Sequence, residues 1–101
     1  MSNLPYIKAY TVTLTAGTPV QGTTYDVPAG VEVLLKAGND NTGTVTVAST
    51  SATAINSSTD NFPLLPGQSV TVQVQNTNQL WFDSTVSLDT VRVLFEYETV
   101  I

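Results

Sequence analysis

Apolar residues recur at every second position through much of this chain. KAYTVTLT (8–15) sets Tyr10, Val12 and Leu14 against Thr11, Thr13 and Thr15. VEVLLKA (31–37) groups Val31, Val33, Leu35 and Ala37, with Glu32, Leu34 and Lys36 on the other side. TVTVAS (44–49) pairs Val45 with Val47, and SVTVQVQN (69–76) alternates Val70, Val72 and Val74 with Thr71, Gln73 and Gln75. TVRVLFEYE (90–98) sets Val91, Val93, Phe95 and Tyr97 against Arg92, Leu94, Glu96 and Glu98. Period 2 is the signature of strands with one buried face, and Val and Thr suit a pleated surface. No segment carries a helical period. Weaker strands are expected at 20–26, 52–56, 61–65 and 79–84, about eight or nine in all, spaced roughly 8–12 residues apart.

Turn chemistry separates these segments. LPGQ (65–68) has Pro66 second and Gly67 third, which predicts a type II turn, because the third position needs a positive φ. VPAG (27–30), with Pro second and Gly fourth, predicts type I. GNDNTG (38–43) reads as a polar hairpin loop whose Asn and Asp accommodate unusual backbone angles, and NSSTDN (56–61) reads as another loop. Strand signals resume at once on both sides of every loop, so one domain over 1–101 is expected. Many half-buried strands are most simply satisfied by two sheets packed face to face. The expected fold is all-β: an antiparallel sandwich of jelly-roll or Greek-key type, with a small closed barrel as the alternative.

Composition narrows the chemistry. The 101 residues contain no cysteine and no histidine, which removes disulfides, thiolate nucleophiles and the commonest general base and metal ligand. A triad would have to use lysine as its base, and neither Lys8 nor Lys36 stands in a Ser-x-x-Lys context. Glu96 and Glu98 share a strand face, where a solvated or inter-subunit role is preferred to a glycosidase pair. Asp40, the one acid of GNDNTG, falls short of the several carboxylates calcium favours. The expectation is a non-enzymatic protein with no cofactor and no metal. The net charge of −5, with only Lys8, Lys36 and Arg92 as cations, argues against nucleic acid and against an anionic membrane surface. No apolar run approaches the ~20 residues of a membrane span. MSNLPYIKAY has no basic and apolar leader pattern, so synthesis and use without general secretion are expected.

Charged residues make up 11% of the chain, against about 25% in typical soluble domains. Thr, Ser, Asn and Gln take their place, a surface that fits life inside an assembly. Candidate contacts with a partner are Leu4, Tyr6, Ile7, Leu34 and Trp81. The first three lie in 1–8, which reads either as an arm that orders on a partner or as an ordinary first strand. Trp81, the single tryptophan, lies in NTNQLWFDST. With Leu80 and Phe82 in the core, the preferred phase, it faces outward as an anchor for a protein or a platform for a sugar; in the reversed phase Trp81 is core and Phe82 faces out.

Three stretches taken in order, VPAGVEVLLKAGNDNTGTVTV, FPLLPGQSVTVQVQNTNQLWFDS and DTVRVLFEYE, resemble a group of small β-sandwich proteins of tailed-bacteriophage particles over about residues 27–97. TVTVAST departs from the aromatic or glycine that often follows the NTG hairpin in that group. The resemblance implies a virion structural protein: a head decoration (cement) protein, or else a fibre or tail component. It implies the major capsid protein or another virion protein as partner. It also implies homo-oligomerisation, with a trimer at a local threefold axis favoured, and a place on the virion, on the head surface, after synthesis in the host cytoplasm. A carbohydrate-binding or host-adhesion module is the competing reading.

Overall fold

A computed structural model of the chain describes residues 5–98. Among the described residues eight strands form: β1 (Pro5–Thr13), β2 (Val20–Gln21), β3 (Val33–Ala37), β4 (Val45–Ala48), β5 (Phe62–Leu64), β6 (Ser69–Val72), β7 (Trp81–Ser84) and β8 (Thr90–Glu98). They build two four-stranded antiparallel sheets, β1-β8-β3-β6 and β2-β7-β4-β5. First pairs with last, second with seventh, third with sixth and fourth with fifth. This nesting is one long antiparallel ribbon rolled over itself, the jelly roll, and its two separate sheets make it a sandwich rather than a closed barrel.

The alternating pattern decides which side chains meet between the sheets. Val12, Leu14, Val33, Leu35, Val91, Val93 and Phe95 point in from the first sheet, and Val45, Val47, Leu64 and Phe82 from the second. Phe82 is fully buried, and a side chain of its size contributes about 1.5–3 kcal/mol by leaving water. Tyrosines close one end of this core: Tyr10 stacks on Tyr25 and Tyr6 on Tyr97, with ring centroids 5.4 and 5.6 Å apart. The ammonium of Lys8 sits 4.4 Å from the centre of the Tyr25 ring.

Several local expectations change. The residues from Pro5 to Lys8 belong to β1 and pair with Glu98 to Phe95 as a first strand, while residues 1–4 of the expected arm lie outside the described residues. The strand expected over 20–26 shortens to Val20–Gln21. The strand expected over 52–56 is a single helical turn, α1 (Ser51–Ala54), because the Thr50 hydroxyl caps it by accepting from the Thr53 N–H. The segment before Trp81 begins with a 3-10 turn at Thr77–Gln79, closed by an Asn76/Gln79 capping box. LPGQ is the turn expected: Gly67 has φ +79° and the Gln68 N–H donates to the Leu65 carbonyl. In VPAGV the hydrogen-bonded turn lies one residue later, from Pro28 to Val31, so Gly30 takes the third position with φ +80° and the type I expectation fails.

Candidate partner-binding face

The buried carboxylates hold the scaffold together. Asp83, fully buried, accepts from the N–H groups of Gly17 (3.0 Å), Ser84 (2.7 Å) and Asn56 (2.7 Å). Asp89 accepts from the N–H groups of Thr42 (3.1 Å) and Gly43 (2.9 Å) and from the Ser84 hydroxyl (2.8 Å). Their lone pairs are committed to loop backbone, an arrangement that fixes loops. In GNDNTG, Asn41 is a plug: its side-chain amide exchanges two 2.8 Å bonds with the backbone of Thr90. Neither it nor its Asn and Asp neighbours take a positive φ, contrary to the turn expectation. Leu88 is the only non-glycine among the described residues that does. Among the described residues no group of three His, Cys, Asp or Glu is placed to hold a metal ion.

The two outer faces differ. On the second sheet Thr46 and Asp83 stand opposite each other and point away from the core. The segment 49–61 folds back over them. The Thr46 hydroxyl donates to the Ala54 carbonyl (2.6 Å), and the Asn56 side chain donates to the Ser84 carbonyl (2.8 Å). Asn61 closes the loop by donating to the carbonyls of Thr53, Ile55 and Ser58.

No described segment covers the outer face of the first sheet in that way. Register sorts its side chains into rows across the strands. The middle row is Ala9, Leu94, Leu34 and Thr71. One step toward the loop end of the strands come Thr11, Arg92, Lys36 and Ser69. One step the other way Ile7 pairs with Glu96, and Glu32 borders the same depression as both. An apolar row therefore lies between a row with two cations and a row with two acids. Rows two residues apart are ~6.8 Å apart, so the opposite charges stand ~14 Å from each other and too far to pair within the face. Asp40, in the adjoining loop, borders the same depression as Lys36 and Arg92.

The five candidate contacts do not form one site. Leu34 and Ile7 share the outer face of the first sheet, and Ile7 is 64% exposed. Tyr6 is exposed too, but it belongs to the inward row of β1, beyond the core, stacked on Tyr97. Trp81 is half-buried on the outer face of the second sheet, opposite Ala48 and Gln21 in register, with Leu80 and Phe82 inside as expected. Leu4 lies outside the described residues. Leu94 belongs with Leu34, and Lys36, Arg92, Glu32 and Glu96 frame the pair. The sequence signal for it was a leucine at an outward position of both apolar-rich strands. At the loop end of the sandwich, Leu88 is 80% exposed with φ +73°.

Comparison with family models, with curated proteins and with solved structures finds no match to this chain.

Proposed function

We propose that this chain is a non-enzymatic structural module of a virus particle, a capsid decoration protein that binds the head shell and stabilises it. The observation that carries the reading is the bare outer face of the first sheet, where Leu34 and Leu94 lie between segregated charges on a chain that has few charges to spend. Such a face serves binding, and it sits on a four-stranded sheet whose inner side packs into the core. The resemblance of the 27–97 region to small virion sandwiches supports the same reading, and a jelly roll is a frequent architecture of capsid domains. The fold alone would not choose it, since lectins share it. In this role each copy bridges neighbouring shell subunits, and weak contacts repeated by symmetry give high avidity.

The test is addition of the purified protein to capsids that lack it. Binding, together with a raised disruption temperature of the shell, is expected. Failure of both overturns the reading. A fibre or tail role predicts binding to tail structures instead. A sugar-binding module predicts glycan-array signals that Trp81→Ala abolishes.

A further inference from the structure

We infer that the outer face of the first sheet is a self-complementary surface that pairs with the same face of a second copy of this chain about a two-fold axis. Such pairing uses the face that the virion reading gives to the shell, so a copy paired this way cannot bind the shell through it, while its test in solution needs no capsid and fails or succeeds separately from shell binding.

In a monomer the face is costly. Lys36 and Arg92 are directly opposite each other in the β3–β8 register. Like charges at such positions destabilise a sheet. Glu32 and Glu96 crowd the other end of the same strands. The whole chain has three cations, and two of them stand together here. The third, Lys8, is taken up by Tyr25 on the inward side. Exchanging the signs of Arg92 and Glu96, four residues apart on one strand, would relieve this segregation within one copy.

A second copy relieves it. Consider a two-fold axis lying along the middle row, Ala9–Leu94–Leu34–Thr71, at right angles to the strands. Rotation about it keeps each strand over its own counterpart and reverses its direction. Leu94 then meets Leu94 of the partner copy, and Leu34 meets Leu34. The cation row lies over the acid row, Arg92 facing Glu96 and Lys36 facing Glu32, twice over. An axis parallel to the strands would instead stack cations on cations. The charge order therefore selects one of the two face-to-face arrangements, and that one is the isologous contact that closes as a dimer. Sheets pack face to face with their strands within about 30° of alignment, which this geometry permits. Four strands ~4.8 Å apart, with outer rows covering some 20–25 Å of their length, bury on the order of 1,000 Å² in the pair. That lies at the low end for specific interfaces, so the dimer is weak and concentration-dependent. Asp40, beside the cation row, lowers its net field and weakens the pairing further.

Sedimentation velocity over a range from about 10 μM to about 1 mM tests this. The expected result is a reversible monomer–dimer equilibrium that weakens as salt rises. Arg92→Glu and Glu96→Arg, each alone, should raise the dissociation constant at least ~10-fold, because each places like charges across the axis. Both positions are exposed, so folding is expected to survive, and a circular-dichroism melt checks it. An equimolar mixture of the two single variants should form a mixed dimer that neither forms alone, since one carries two acids where the other carries two cations. The double variant Arg92→Glu/Glu96→Arg should recover self-pairing. A chain that remains monomeric throughout, an association order of three, or single variants that dimerise as well as the parent would each overturn the inference.

Discussion

Thr46 and Leu34 both point away from the core, each from an inner strand of its sheet, yet the threonine is 5% exposed while the leucine stays half-exposed on an open surface. Hydrophobicity alone would assign them the other way round. The difference lies in the loop that leaves each strand. After β4 the chain runs through 49–61, a segment rich in Ser, Thr and Asn, whose hydroxyls and amides can satisfy a polar outer face and its own turns. After β3 it runs through the short 38–43 loop, whose bonds go to Thr90 and Asp89 at the sandwich end and leave the face bare. A polar outer face covered from within is part of the fold. An apolar outer face left uncovered is available to a partner.

Breaking the covered side should have the largest effect. Asp83→Ala leaves the N–H groups of Gly17, Ser84 and Asn56 without their acceptor, two of them in different loops. One buried and two partly buried donors that lose a charged acceptor cost about 2–3 kcal/mol together, a large share of a small domain's stability. Urea denaturation should show that loss. A change under about 1 kcal/mol would mean that the 49–61 cover is not held through Asp83.

This cover also marks where the sequence stops being informative. Alternation is local, so the core strands were legible residue by residue, while Leu80, Trp81 and Phe82 allowed two phases and the burial of Leu80 and Phe82 selects between them. ATAIN was not legible, because a short apolar-polar run fits a strand as well as a capped helical turn, and only the Thr50 cap tells them apart. The candidate contacts split for a different reason. Leu34 and Leu94 become neighbours only through the β3–β8 pairing, and Trp81 moves to the opposite outer face only because β7 joins the other sheet. Neither pairing leaves a local trace, since both join strands far apart in the chain. The role of the buried Asp83 leaves no local trace either, because two of its three donors come from Gly17 and Asn56.

A contrast of smaller size sets the outer faces against each other directly. Leu94→Thr keeps a strand-favouring residue at a half-buried position, so the monomer should lose no more than about 1 kcal/mol. Self-association should fall sharply. Trp81→Ala on the other sheet should cost the monomer about 1–2 kcal/mol in lost packing and leave self-association unchanged. Concentration-dependent light scattering on both variants separates the faces. If Trp81→Ala dissociates the assembly and Leu94→Thr does not, the working face is the one beside the 49–61 segment.

The smallest effect belongs to the seam between the sheets, which neither outer face touches. The Tyr10 hydroxyl is buried without a hydrogen-bond partner. The Thr77 hydroxyl, a neighbour of Tyr10, already donates to the Thr23 carbonyl. Burial raises the Tyr10 pKa above its ordinary value, the Thr77 side chain and the Thr23 backbone partly offset the rise, and Tyr25 adds to it. The folded state therefore holds this proton more tightly than the unfolded chain does. The corresponding stability is fully present below the unfolded value of about 10 and is lost as pH climbs through the higher folded value. Tyr10→Phe removes a buried hydroxyl that has no partner. At neutral pH it should leave stability unchanged or raise it by a few tenths of a kcal/mol. It should also flatten the fall in stability above about pH 10 relative to the parent. Urea midpoints at the two pH values read both effects. A loss above about 1 kcal/mol at neutral pH would mean that the hydroxyl is bonded after all. Because Tyr10 faces inward, the variant should alter neither the cover on the second sheet nor pairing through the first, and a change in either would mean that the two faces are coupled through the core they share.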